Sequence, residues 1–152
     1  MSEVRAKTPH GDMTIDQLAE IQPGMAAIMK EAGDRYTQTY YAAKGGNWKL
    51  AAHHLNQLRT AFKIGRTTRP KFADDLAAFD REYLQPIFEA IHHKDWNQFR
   101  EAFRKGELAS DAYHDKRGYP HIRYVLPEAP PSNLYLGPPD EFKRNAESTG
   151  SG

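Results

Sequence analysis

Trp96-Asn97-Gln98-Phe99-Arg100-Glu101-Ala102-Phe103-Arg104-Lys105-Gly106-Glu107-Leu108-Ala109-Ser110-Asp111-Ala112-Tyr113-His114 is the stretch whose reading decides the fold. Trp96, Phe99, Phe103, Ser110 and His114 fall on one side of a 3.6-residue repeat, so the segment is expected to be a helix with a single inward stripe. On that wheel Ser110 lies within about 40° of both Phe103 and His114, which turns the end of the stripe toward the core. Asp95 stands where a cap belongs, after a tight Lys94-Asp95 connection.

Three more segments of this kind lie upstream. One carries Phe72, Leu76, Phe79, Tyr83, Ile87 and Ala90, and Pro86 inside it predicts a kink, because proline cannot donate to the carbonyl of residue 82. The stretch from Gly65 to Pro70 is read as a break. Before it, Asn47 caps a helix with the stripe Trp48, Ala51, Ala52, Leu55, Leu58 and Phe62. Gly45-Gly46 ends the preceding helix, whose stripe is Met25, Ile28, Met29, Ala32, Tyr36, Tyr40 and Ala43, with Pro23 in its first turn. Thr14 is expected to cap one short turn over residues 14–19. Four amphipathic helices with short connections predict an all-α, antiparallel up-down-up-down four-helix bundle over residues 14–118. Residues 1–13 are expected to be disordered. Beyond Gly118, Pro120, Pro127, Pro130-Pro131 and Pro138-Pro139 forbid a continuing helix, so 119–144 is read as an extended, proline-rich C-terminal arm laid on the bundle or on a partner. Residues 145–152 are set aside as a flexible tail or an expression scar.

Composition narrows the chemistry. Lys and Arg total 21 against 20 Asp and Glu, a net charge of +1 over 152 residues. So balanced a chain has no electrostatic footprint for nucleic acid or an anionic membrane surface. There is no cysteine, which excludes disulfides, thiolate zinc sites, iron–sulfur clusters and cysteine nucleophiles. Neither a bilayer-spanning apolar run nor a secretory hydrophobic segment is present, and the cytoplasm is the expected compartment.

Several pieces together carry a family resemblance: Pro23-Gly24-Met25, Ala42-Ala43-Lys44-Gly45-Gly46-Asn47-Trp48, Thr68-Arg69-Pro70-Lys71, Lys94-Asp95-Trp96, and Tyr113-His114 followed by Gly118-Tyr119-Pro120-His121-Ile122-Arg123-Tyr124-Val125-Leu126-Pro127. Over roughly residues 14 to 131 the chain resembles the class II c-type cytochromes, and more closely their haem-lacking relatives. That resemblance implies a cytochrome c'-like bundle with its pigment site near the end of the fourth helix. The family attaches haem through Cys-x-x-Cys-His, two thiols bonding the porphyrin and the His ligating iron. Here Ser110 and Tyr113 stand at the cysteine positions, and only His114 carries over. Covalent haem, and the electron transfer that goes with it, are therefore not inherited.

The candidate sites follow. Ser110, Tyr113 and His114 form a vestigial haem site. His114 is read either as the axial ligand of a non-covalent haem or as a core histidine bonded to a nearby carbonyl or hydroxyl. His53-His54 and His92-His93 invite a metal reading, but neighbours on a helix diverge by about 100° and cannot chelate one ion. A metal site would need His54 and His93 to meet across helices with Glu89; the plainer reading puts both pairs at the surface or its boundary. No phosphate loop, nucleophile elbow or HExxH occurs, and nothing assembles a nucleophile, base and oxyanion donor. Tyr119, Ile122, Arg123, Tyr124, Leu134, Tyr135 and Phe142 are the partner-binding candidates, since the arm is more apolar than a free tail should be.

The expected function is that of a haem-free, cytochrome-like binding or accessory protein, a small subunit or scaffold without catalysis of its own. Its partner would be another protein, either a larger enzyme subunit or a second copy in a homodimer. The alternatives are a non-covalent haem or small-molecule carrier at His114, and a His/Glu metal-dependent enzyme.

Overall fold

In the computed structural model, residues 4–131, 133 and 135–144 are described. Two short strands, β1 (Arg5–Thr8) and β2 (Gly11–Thr14), pair antiparallel with Arg5 opposite Thr14 and Thr8 opposite Gly11. Over residues 5–13 a paired hairpin stands where disorder was expected, and residues 1–3 of that expectation lie outside the described residues. The hairpin carries no apolar alternation; its turn is closed locally, the Thr8 hydroxyl donating to the Gly11 carbonyl at 2.7 Å and accepting from the His10 N–H at 3.1 Å.

Helices make up most of the remainder. α1 (Ile15–Ile21) starts with a reciprocal cap, in which Gln17 N–H donates to the Thr14 hydroxyl and Thr14 N–H to the Gln17 side chain. α2 (Met25–Lys44) ends at Gly45-Gly46, and Asn47 caps α3 (Trp48–Thr68) by accepting from Leu50 N–H at 3.1 Å. α3 therefore continues past Gly65 and ends inside the expected break, at Thr68. Gly65 is an interior residue of this helix, buried where Ile28 and Leu76 approach it.

After a 3₁₀ turn at Pro70–Phe72, one helical rod is built from α4 (Ala73–Phe79), a π turn (Asp80–Leu84) and α5 (Gln85–His93). The π turn accounts for Pro86. Gln85 N–H reaches back five residues to the Asp80 carbonyl, and the wider turn comes directly before the proline that lacks a donor. Arg59 on α3 grips this turn from outside, bonding both Asp80 oxygens at 2.8 and 3.3 Å and the Gln85 side chain at 2.7 Å. Lys94 then adopts a left-handed conformation at φ 52°, and Asp95 caps α6 (Trp96–Lys116).

α2 packs on α3, α3 on α4 and α5, α5 on α6, and α6 returns to α2. Phe99, Phe103, Leu55, Leu84, Ile87 and Thr39 are the largest fully buried side chains. Rings fill the α2–α6 seam: Tyr36 stacks on Phe103 at 4.0 Å between centroids, and Tyr40 meets Trp96 at 5.5 Å. The Tyr36 hydroxyl donates to the Phe103 carbonyl at 2.6 Å, beside Gly106. A Cβ at residue 106 would collide with that hydroxyl, so the helices approach closely only because the residue is glycine.

The arm follows α2 in the same direction. Tyr124 meets Thr37 (2.9 Å between hydroxyls), the Pro127 carbonyl accepts from the Tyr41 hydroxyl, and Asn47 Nδ2 donates to the Gly137 carbonyl at 2.8 Å. Leu136 is buried in the core. Its carbonyl would lie 2.7 Å from a Cβ at residue 45, so Gly45 both ends α2 and seats the arm.

Candidate functional site

At the end of α6 the buried positions are Phe99, Ala102, Phe103, Gly106 and Ala109. The core stops there. Ser110, Tyr113 and His114 are half-buried, at the margin of the core that Ser110 and His114 were expected to face. His114 Nδ1 lies 2.8 Å from the Ser110 carbonyl and 3.5 Å from the Ser110 hydroxyl. The Tyr113 ring turns to α4, edge-on to Phe79 at 5.9 Å, with the Lys116 ammonium 5.7 Å from its centroid. Burial raises the Tyr113 hydroxyl pKa, and Glu82 and Asp75 add to this. The chain has no sulfur at either position, so the residues present do not fit covalent haem.

The partner-binding candidates divide. Tyr124 is half-buried, edge-on to Tyr36 at 5.3 Å, and burial pushes its hydroxyl up to about 12 against the opposing effect of the Thr37 hydrogen bond. Arg123 is paired with Asp115 at 2.6 Å. Tyr119 and Ile122 are exposed, and Val125 of the same apolar stretch is the most exposed large apolar side chain among the described residues at 74%. Tyr135 and Phe142 are exposed and pack on each other at 4.9 Å. Leu134 lies outside the described residues.

The histidines of the metal reading have separate partners. His93 is exposed, with Nδ1 at 3.0 Å from Gln98 Oε1, and Glu89 is exposed on α5. His54 is buried at 4% exposure, not at the boundary. Its Nδ1 lies 3.0 Å from Arg35 Nη1 on α2. Among the described residues no group of three or more His, Cys, Asp or Glu is placed to hold a metal.

His54 instead lines a cavity of ≈ 480 Å³ between α2 and α3, together with Glu31, Asp34, Arg35, Gln38, Leu50, His53 and Tyr135 of the arm. Desolvation, with Arg35 and His53 adding to it, lowers the His54 pKa to about 4. His54 Nε2 and Gln38 Oε1 are buried and meet no partner among the described residues. A second cavity, of ≈ 410 Å³, lies between α2, α6 and Leu126, beside Glu107. Burial and Asp111 raise the Glu107 pKa, which Arg104 opposes. Neither cavity is lined by Ser110, Tyr113 or His114. The His54 site had a signal in the sequence. Ala51, His54, Leu55, Leu58, Ala61, Phe62 and Gly65 repeat at three- and four-residue steps, and a histidine in such a stripe is a buried one.

No helix among the described residues is long and apolar enough to cross a membrane. No family model, no curated protein and no solved structure matches the chain.

Proposed function

We propose that the chain is an antiparallel four-helix scaffold of the cytochrome c' kind that works in the cytoplasm without haem. It serves as a binding or accessory protein that contacts another protein through its C-terminal arm and catalyses no reaction of its own. The arm carries this reading. Tyr124 and Leu136 anchor it along α2, while Tyr119, Ile122 and Val125 face outward. Anchored backbone with apolar side chains in solvent offers contact area at little ordering cost. In native extract the untagged chain is expected at a mass well above its own 17.3 kDa. An Ile122→Asp/Val125→Asp variant of unchanged helicity is expected to return it to the mass of a monomer. A wild-type chain found as an isolated monomer would refute the proposal.

A second reading draws on one contact at His114. If Nδ1 carries the proton and donates to the Ser110 carbonyl, Nε2 keeps its lone pair, the arrangement that orients an imidazole toward a metal. That supports a carrier of non-covalent haem. Haemin titration tests it: a Soret shift lost in His114→Ala favours the carrier, and a flat titration removes it.

A further inference from the structure

The cavity beside His54 is chemically defined by its two unmatched atoms. A guanidinium only donates hydrogen bonds, so His54 Nδ1, 3.0 Å from Arg35 Nη1, is the acceptor. The proton therefore sits on Nε2, which becomes a buried donor with no acceptor in reach among the described residues. Gln38 Oε1 is the complementary case, a buried acceptor without a donor among the described residues. Unmatched donors and acceptors are costly to bury, and both residues line the same cavity.

Charge at the rim is compensated one helical turn at a time. Glu31 pairs with Arg35 at 2.5 Å and Asp34 with Lys30 at 2.9 Å. Lys30 stands outside the lining, but with both rim carboxylates already paired neither a cation nor an anion meets an unmatched charge there. A metal ion is also disfavoured from inside. Freeing the Nε2 lone pair would move the proton to Nδ1 and set it against the Arg35 N–H. The volume of ≈ 480 Å³ lies in the range of small-molecule sites, and Tyr135 supplies an aromatic wall.

We propose that this cavity binds a small, neutral, amide-bearing molecule, its carbonyl oxygen accepting from His54 Nε2–H and its N–H donating to Gln38 Oε1. The site does not depend on the scaffold reading above, so either stands if the other fails.

The test uses the full chain with ¹⁵N-labelled imidazoles and three probes of similar shape and different charge: benzamide, benzoate and benzamidine. Benzamide is expected to move the His54 Nε2 resonance saturably, with the other two at least about tenfold weaker. Gln38→Leu is expected to weaken benzamide about tenfold, the equivalent of one hydrogen bond, while leaving helicity and the His54 resonance of the unliganded chain in place. This variant keeps the measurement decisive should His54→Leu fail to fold. A His54 resonance unmoved by benzamide, as when a structural water alone bridges the pair, overturns the proposal. Equal response to all three probes, or undiminished binding in Gln38→Leu, overturns it as well.

Discussion

His54 ties the α2–α3 interface to pH. Its pKa is lowered from 6.5 to about 4 by burial first and by Arg35 second. Above pH 6.5 the imidazole is neutral in both folded and unfolded chains and has no effect on their balance. Between pH 6.5 and about 4 the unfolded chain takes a proton here that the folded chain refuses, so stability falls as pH falls. The full difference is up to about 3 kcal/mol, reached near pH 4. Urea unfolding across this window is expected to show the loss in the wild type and not in His54→Leu. Equal slopes for the two chains would contradict the placement of the ring. Asp75 acts lower: hydrogen bonds from Arg117 and Lys116 hold its pKa below 3.8, so its contribution is lost only as pH falls through that lower range. Gly106 offers a test of packing that involves no charge. Gly106→Ala is expected to cost about 1–3 kcal/mol by driving a methyl against the Tyr36 hydroxyl. Adding Tyr36→Phe removes the obstructing oxygen, so the two changes are expected to be markedly non-additive in unfolding free energy.

Asn47 shows how one side chain serves two elements. Its Oδ1 caps α3 at Leu50 N–H, and its Nδ2 holds the arm at the Gly137 carbonyl. Asn47→Asp keeps the cap and removes the arm donor, whereas Asn47→Ala loses both. Limited proteolysis is expected to cut the arm faster in both variants, while Ala alone lowers helix stability by about 1–2 kcal/mol. Cutting at wild-type rates in the Asp variant would mean that the arm is held elsewhere. The cap itself was legible in the sequence, as were those at Thr14 and Asp95, because a side-chain oxygen before an apolar repeat is a local signal. The long helices were legible for the same reason, through stripes such as Met25-Ile28-Met29-Ala32-Tyr36. What escaped was non-local or polar. Gly65 reads as a breaker until Ile28 and Leu76 are seen against it. Pro86 announced a disturbance, but its form as a π turn, with Arg59 of another helix bonded to the Asp80 and Gln85 side chains, has no local pattern in the sequence. The hairpin at 5–14 has no hydrophobic period to find. His54 was set aside because a titratable residue was not counted in an apolar stripe, and the cavity it lines joins two helices and the arm.

For the whole molecule, the question is whether the closed circuit of contacts among α2, α3, α4–α5 and α6 is a cytochrome scaffold. Ion pairs fix the relevant end, with Asp75 of α4 bonding Lys116 at 3.2 Å and Arg117 at 2.5 Å, just past His114. If the scaffold reading holds, only the thiols and the space filled by Tyr113 separate this chain from a pigmented one. Ser110→Cys with Tyr113→Cys recreates Cys-x-x-Cys-His at 110–114 and removes the ring that packs on Phe79. Produced alongside a cellular apparatus for covalent haem attachment, that double variant is expected to carry a Soret absorbance that survives acidic extraction, and Ser110→Cys alone with Tyr113 retained to carry far less. Helical content equal to wild type shows that the frame is intact in both. A colourless, fully helical double variant would separate the helical frame from any pigment-binding geometry. The kinship would then fall, while the arm and the His54 cavity, which rest on contacts at α2, would keep their own tests.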